Sequence, residues 1–187
     1  AGQATVDGET RLPPRPFLII ATPPPFEYEG TFPLPEAQLD RFAVRAALGY
    51  PPADDEAAML LELAGRDALD GVSPVTGADG ITAARRVVER VHADPSLARY
   101  VVALVGATRR DPRAELGASP RAGLALLRAA KAKAVMEGRA YVVPEDVRGL
   151  TDAVLSHRMI LTPDARARGS RGEDLVADAL AAVPVPL

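Results

Sequence analysis

The sequence predicts a mostly helical protein in which a short α/β segment, residues 1–50, precedes an all-helical domain, residues 52–187. Three observations support this prediction. The apolar run Phe17–Ala21 is typical of a strand that is buried on both faces. From Asp54 onward, apolar residues recur at helical spacing in an alanine-rich sequence with good helix propensity. Between the two parts, Gly49–Pro52 combines glycine and proline, which interrupt regular structure, and is the best boundary.

Composition and charge narrow the classes of function. The 187 residues carry a formal net charge of −3, which disfavours the basic stripe that a nucleic-acid-binding surface needs. Cysteine is absent, so disulfides, cysteine-ligated zinc sites and thiol nucleophiles are excluded. No apolar run reaches the roughly 18–20 residues that span a bilayer, and no signal peptide is recognisable. We therefore expect a cytoplasmic protein without a membrane span.

Four elements are predicted in the α/β segment. An Asp-Gly pair between alternating residues favours a β-hairpin over residues 4–12. A buried strand over residues 17–22 ends at a proline run, because proline cannot donate to a ladder. A helix over residues 35–41 and a strand over residues 42–46 complete the segment. One strand cannot bury itself, so the remaining strands of its sheet must come from elsewhere, and in this chain its apolar face should be exposed or self-paired.

Capping signals divide the helical domain. Helices are expected to begin after Asp54, Asp94 and Ser119, which are good N-cap residues, and a further helix opens at Pro144. The helix after Ser119 should stop at a glycine, which suits the position beyond a helix end. The polar, arginine-rich segment 164–172 is expected to be mobile, and residues 173–182 form a last helix.

Several absences restrict the chemistry. Neither Lys131 nor Lys133 lies in a G-x-x-x-x-G-K-[ST] motif, so the chain has no phosphate-binding P-loop. No apolar strand ends in an Asp-Glu pair that could hold Mg²⁺. His92 and His157 lie far apart with no motif around them, and a packing or surface role is favoured for each. No metal site is predicted.

Arg41 is the first candidate functional residue. It lies near the end of the predicted helix 35–41, where a cation is favoured, and a strand follows it directly. This arrangement would hold a guanidinium stiffly, and arginine suits a phosphoryl group in transfer. The alternative is a salt bridge to a nearby acidic residue.

Arg121 is the second candidate. Ser119 can cap a helix whose first residue is Pro120, which places Arg121 in the first turn. A cation there costs about 0.3–1 kcal/mol because the helix N-terminus is already positive, and a bound anion would reverse that sign. The alternative is a solvated arginine that is tolerated at this small cost.

Eight segments in order along the chain resemble the MoxR family of AAA+ ATPases. The most specific are the block that contains Arg41 and the Gly-Ala-Ser-Pro-Arg-Ala stretch that contains Arg121. The segments are Phe17–Thr22, Glu27–Phe42, Gly49–Pro51, Ala107–Arg109, Leu116–Ala122, Gly138-Arg139, Pro144–Val147 and Val154–Arg158.

The resemblance implies a fold and an activity. The chain would be the C-terminal part of a P-loop AAA+ module: an α/β fragment of the core followed by an all-α lid, without the Walker A and Walker B segments. Arg41 would be the catalytic arginine finger, which reaches a neighbouring subunit's nucleotide, and Arg121 the sensor-2 arginine, which binds the phosphates. ATP and Mg²⁺ would be the cofactors of the full-length protein, with none expected for this chain alone.

The resemblance also implies partners. The family forms homo-oligomeric rings, usually hexamers, and is associated with chaperone-like remodelling or maturation of client proteins, often with von Willebrand factor A domain proteins. One position departs from the pattern: Pro24 stands where the family usually has the sensor-1 Asn, so either the full-length protein hydrolyses ATP slowly or another polar group takes the place of the Asn. The alternative function is a non-catalytic adaptor or client-binding scaffold derived from this family.

Overall fold

The computed structural model describes residues 3–22, 35–62 and 68–186. The chain divides into two units, each of which combines separate stretches of sequence. The first unit comprises Ala1–Ile20 and Ala46–Ala84, and the second comprises Ala21–Arg45 and Arg85–Leu187. These units do not coincide with the predicted division at residues 50–52, because residues 35–45 pack with the helices of the second unit.

The first unit begins with the predicted hairpin. Strands β1 (Ala4–Val6) and β2 (Glu9–Arg11) pair antiparallel, with Val6 opposite Glu9. Asp7 and Gly8 form the connection with φ values of 53° and 80°, the positive values that a tight hairpin turn requires. The helices of this unit are α2 (Ala53–Glu62), a 3-10 turn (Ala68–Gly71) and the first half of α3 (Ala78–Arg90).

The predicted buried strand over residues 17–22 is wrong for the described chain. Residues 17–22 have no strand hydrogen bonds, and the side chain of Ile20 is 81% exposed. A strand needs partners for its backbone groups, and the described residues offer it none. The exposure of this apolar run agrees with the expectation that its sheet neighbours lie elsewhere.

The second unit contains the helix α1 (Glu36–Leu39), within the predicted span 35–41. The strand predicted over residues 42–46 is wrong: this segment is irregular. The Arg158 side chain donates hydrogen bonds to the carbonyls of Phe42 and Ala43, and the Arg45 amide donates to the carbonyl of Ala153. These backbone groups therefore have hydrogen-bond partners although the segment is not paired in a sheet.

The remaining elements of the second unit are mainly helices. They are α4 (Pro95–Arg110), β3 (Ala114–Leu116), α5 (Pro120–Met136), α6 (Pro144–Leu155), a 3-10 turn (Ser156–Arg158), β4 (Ile160–Leu161), α7 (Pro163–Ala167) and α8 (Gly172–Ala182).

Capping and small side chains explain the packing of these helices. The Asp94 carboxylate accepts from the Ser96 amide at the start of α4, and the Ser119 hydroxyl accepts from the Ala122 amide at the start of α5. Helix α5 packs on α4 and α6 through Ala130 and its neighbours on one face, since alanine allows close approach of helices. The core of this unit lies between α4, α5, α6 and α8.

Two features of the second unit differ from the sequence predictions. The segment 164–172, expected to be mobile, contains most of α7, because the Thr162 hydroxyl caps the helix by accepting from the Ala165 amide. Strands β3 and β4 pair antiparallel although no alternating pattern marks either of them. Within the described part of the chain, none of the helices is long and apolar enough to cross a membrane.

Candidate functional site

Asp40, which directly follows α1, contacts residues at the start of α5 and in the 3-10 turn that follows α6. Its carboxylate accepts a hydrogen bond from the Ser119 hydroxyl at 3.1 Å and one from Nη1 of Arg158 at 3.2 Å, both on Oδ1. Nη1 of Arg121 lies 3.6 Å from Oδ2 of the same carboxylate. We call Asp40, Ser119, Arg121 and Arg158 the Asp40 cluster.

Arg158 is the most buried member of this cluster, with its side chain only 1% exposed. Nη1 donates to the backbone carbonyl of Asp40 at 3.0 Å, and Nη2 donates to the carbonyl of Phe42 at 2.7 Å and to that of Ala43 at 3.2 Å. Burial lowers the pKa of Arg158, and the carboxylate of Asp40 only partly offsets that effect. A buried guanidinium therefore stabilises the chain segment that contains Arg41.

His157 contacts the same segment. Nε2 lies 3.1 Å from the Phe42 carbonyl oxygen and donates to it, since a carbonyl can only accept. Nδ1 is buried and has no hydrogen-bond partner among the described residues. Burial lowers the pKa of His157, and the positive charge of Arg158 acts in the same direction. The neutral imidazole is thus the form that the folded chain favours.

The loop before α5 is held closely against the end of α4. The Thr108 hydroxyl accepts from the Ala118 amide at 3.1 Å, and Nε of Arg109 donates to the Ala118 carbonyl at 2.7 Å. A Cβ at Gly117 would lie 2.6 Å from the backbone of Arg109, a separation that side chains do not adopt, so this position requires glycine. These contacts fix the direction in which α5 begins, and with it the place of Arg121.

The two predicted site residues occupy different positions relative to the Asp40 cluster. Arg121 belongs to it, but its side chain is 66% exposed and its ion pair is long. Arg41 does not belong to it: its side chain is exposed and forms no hydrogen bond or ion pair with any residue that the structure describes. The salt bridge considered as an alternative for Arg41 has no partner in this part of the chain.

The sequence did not predict three members of the Asp40 cluster as site residues. Ser119 is predicted only as a helix cap. Asp40 and Arg158 lie within segments that resemble the MoxR family, but no role is predicted for either. Arg158 did carry one signal: it comes shortly after the apolar residues Val154 and Leu155, and a charged side chain that is buried rarely lacks a partner. The residue that pairs with it lies 118 positions earlier, and spacing gives no indication of that contact.

The arrangement leaves two guanidinium groups that can each meet an anion. Arg121 can turn to an anion because its contact with Asp40 is exposed, and Arg41 is available because it has no partner among the described residues. Arginine binds phosphate oxygens through parallel N–H donors. Pro24, which stands at the sensor-1 position by resemblance, lies outside the described residues.

Two family models match the chain. Residues 1–44 match the ATPase family associated with various cellular activities (AAA), and residues 106–179 match the AAA lid domain. The second match covers the loop before α5 and the helices that form most of the core of the second unit.

Curated relatives match along most or all of the sequence. The YeaC protein of Bacillus subtilis is 41% identical over 186 residues, which are 100% of this chain and 58% of YeaC. Chaperone MoxR1 of Mycobacterium tuberculosis is 34% identical over 196 residues, covering 97% of this chain and 50% of MoxR1. Protein MoxR of Paracoccus denitrificans is 35% identical over 182 residues, or 86% and 53% of the two chains. The chain spans about half the length of the curated relatives it matches.

A solved structure has the same fold. The crystal structure of a candidate ATPase from Cytophaga hutchinsonii superposes with a TM-score of 0.90 at 32% identity, over 100% of this chain and 59% of that chain. The predicted fold class, part of an α/β AAA+ core with a helical lid, is confirmed by this likeness and by the two family models. The chain belongs to the MoxR family of AAA+ proteins, in which it corresponds to the C-terminal portion of the ATPase module.

Proposed function

We propose that the chain acts as the C-terminal part of a ring-forming ATPase that remodels or matures client proteins. The observation that carries this proposal is the pair of positions taken by Arg41 and Arg121. Arg41 is exposed, with no partner among the described residues, on a segment that buried Arg158 anchors. Arg121 lies in the first turn of the lid helix α5, in an exposed contact that an anion can replace.

The two arginines have different roles in this proposal. Arg41 reaches the nucleotide of the neighbouring subunit in a homo-oligomeric ring, which we expect to be a hexamer, and stabilises charge on the phosphoryl group in transfer. Arg121 binds the phosphates of the nucleotide in its own subunit and draws the lid towards them. ATP with Mg²⁺ supplies the phosphoryl group that is transferred to water.

Arg41→Ala in the full-length protein tests the catalytic role. An arginine that stabilises the transition state in trans is worth about 10³–10⁵-fold in kcat, so hydrolysis should fall on that scale while ATP binding is retained. The matched control is Arg99→Ala, which removes an exposed arginine from α4 and should leave hydrolysis unchanged. Retained hydrolysis in Arg41→Ala would overturn the catalytic role of Arg41, whereas absence of hydrolysis in the unsubstituted full-length protein would favour the adaptor or scaffold role.

ATP binding supplies a second test. Arg121→Ala should weaken the affinity of the full-length protein for ATP, whereas Arg128→Ala, which removes an exposed arginine two turns later on α5, should not. The chain alone has no P-loop to surround the phosphates with backbone N–H donors, so calorimetry should detect no micromolar ATP binding to it. Micromolar binding to the chain alone would show that another part of it forms the nucleotide site.

The proposed partners rest on family membership alone. They are protein clients and von Willebrand factor A domain proteins, and the setting is the cytoplasm. Pull-down of a von Willebrand factor A domain protein from the same organism by the full-length protein, with and without ATP, checks the partner. Failure to co-purify in either state would count against it.

A further inference from the structure

The backbone on both sides of Arg41 is fixed by one side chain. Nη1 of Arg158 donates to the carbonyl of Asp40, the residue before Arg41, at 3.0 Å. Nη2 donates to the carbonyl of Phe42, the residue after Arg41, at 2.7 Å. The planar guanidinium therefore bridges the carbonyls of the two residues on either side of Arg41, and Nη2 also reaches the next carbonyl, that of Ala43, at 3.2 Å.

This contact differs from an ordinary surface ion pair in its burial. The Arg158 side chain is 1% exposed, whereas Arg41, which lies between the two bridged residues in the chain, is exposed. A long flexible side chain that must reach across a subunit border benefits from a rigid base, because less conformational freedom remains to be lost when it docks. Buried Arg158 keeps the backbone on both sides of Arg41 rigid, while the Arg41 guanidinium has no hydrogen-bond or ion-pair partner among the described residues.

Neighbouring contacts hold the same segment. The Ser119 hydroxyl donates to the Asp40 carboxylate at 3.1 Å, and the Arg45 amide donates to the Ala153 carbonyl at 2.8 Å. His157 Nε2 donates to the Phe42 carbonyl at 3.1 Å. All of these contacts lie within the second unit, so they attach the segment that contains Arg41 to the lid helices.

We propose that Arg158 is the positioning residue of Arg41: by bridging the carbonyls of Asp40 and Phe42, it sets the place from which Arg41 reaches the neighbouring nucleotide. The inference rests on the proposed function and adds to it. A movement of the lid would carry Arg41 with it, because Arg158 belongs to the lid and the bridged carbonyls belong to the segment of Arg41.

Arg158→Lys in the full-length protein tests the inference. Lysine keeps the charge but cannot bridge two carbonyls through a planar fork. We expect kcat to fall about 10–100-fold, the scale set by a misplacement of about 1 Å, with the KM for ATP unchanged. Hydrogen exchange should quicken at the amides of Arg41, Phe42 and Arg45 and stay the same in the core helices.

The matched control is Arg148→Lys. Arg148 is a half-buried lid arginine that donates to the Tyr100 hydroxyl at 3.2 Å and the Leu180 carbonyl at 3.3 Å and forms no hydrogen bond or ion pair with residues 40–43. It should leave kcat and the exchange of residues 40–45 unchanged. Should Arg158→Lys fail to fold, Arg158→Met replaces it, with the same pattern expected because methionine has no donor for the carbonyls of residues 40 and 42.

The outcomes separate this inference from the proposed function. If Arg41→Ala lowers kcat but Arg158→Lys, or Arg158→Met in its place, leaves kcat unchanged, the positioning role is overturned and the arginine finger stands. The positioning role is also overturned if Arg158→Lys weakens ATP binding as much as it slows turnover, or if faster exchange spreads through the whole lid. If Arg41→Ala itself has no effect, the proposed function fails.

Discussion

The guanidinium of Arg121 lies 3.6 Å from the carboxylate of Asp40, the residue that directly precedes Arg41 in the chain. The two partners are held very differently. The side chain of Arg121 is 66% exposed, whereas Asp40 is also bound by buried Arg158 and by Ser119. An exposed pair of this kind is worth about 0–1 kcal/mol, so Arg121 can leave Asp40 for a phosphate group at small cost.

The two halves of this pair should have unequal effects on stability. Arg121→Ala should lower the free energy of unfolding by less than about 1 kcal/mol, because an exposed contact is lost. Asp40→Ala should lower it by about 1–3 kcal/mol, because Arg158 stays buried without its carboxylate. Urea unfolding of the chain measures both values.

Arg128→Ala is the control for the loss of an exposed arginine from α5. It should behave like Arg121→Ala in this assay. A larger loss for Arg121→Ala than for Asp40→Ala would show that Arg121 is fixed in place by the fold, contrary to the role assigned to it.

Gly117→Ala should destabilise the chain more than Gly123→Ala. A Cβ at Gly117 would lie 2.6 Å from the Arg109 backbone, whereas one at Gly123 would make ordinary contacts of 3.5 Å with Val101 and 3.6 Å with Val105. Overpacking against fixed backbone costs about 1–3 kcal/mol, but alanine within a helix gains about 0.5–1 kcal/mol over glycine. Thermal unfolding of the two variants checks the opposite signs, and equal melting temperatures would contradict the tight loop geometry.

Local signals predicted much of the lid. Asp94 and Ser119 cap their helices as expected, and the helix after Ser119 ends close to the predicted glycine, because capping depends on neighbouring residues only. The hairpin of the first unit also follows from its two turn residues. The apolar run Phe17–Ala21 failed as a strand because strand formation depends on partners that no local pattern supplies.

The site was only partly predictable for the same reason. Arg41 and Arg121 follow from a helix end, a helix start and a family resemblance. The contacts of Arg158 with residues 40–43 cross about 115 positions, so sequence spacing could not reveal them. The strand pair β3–β4 was missed because its strands have three and two residues, too short for an alternating pattern.

Removal of Arg139 should destabilise the lid through Asp146. Asp146 is 1% exposed and accepts from Nη1 of Arg139 at 2.8 Å and from Nη2 at 2.7 Å. Burial opposes its ionisation, but these hydrogen bonds and one from the Val143 amide lower its pKa overall. Arg139→Met would leave a buried carboxylate without its charged partner, at a cost of about 3–5 kcal/mol measured by urea unfolding.

The control for this prediction is Glu137→Gln. Glu137 also accepts from Arg139, at 2.6 Å, but half of its side chain is exposed, so the loss should stay below about 1 kcal/mol. Equal losses for the two variants would show that burial of Asp146 does not determine the cost.

Acidification should destabilise the chain through His157. Burial lowers the pKa of His157, so the folded chain keeps this imidazole neutral at pH values where the unfolded chain binds a proton. Below about pH 6.5 the unfolded state therefore binds more protons, and stability falls as the pH decreases towards the folded-state pKa, with a slope of at most about 1.4 kcal/mol per pH unit.

Urea midpoints between pH 7 and pH 5 check this direction. His157→Gln should flatten the dependence, whereas His92→Gln, which removes an exposed histidine, should leave it as it is. A wild-type midpoint that stays constant, or rises, on acidification would contradict the burial of a neutral His157.

The most direct test of the central claim is ATP hydrolysis by rings mixed from two inactive full-length variants. One subunit carries Arg41→Ala, and the other carries an intact Arg41 with a disabled P-loop. If Arg41 acts on the neighbouring subunit's nucleotide, the mixture should recover hydrolysis that neither variant has alone, because the second subunit supplies the missing arginine to the first. A mixture that stays as inactive as its components, while intersubunit contact is confirmed, would contradict the account.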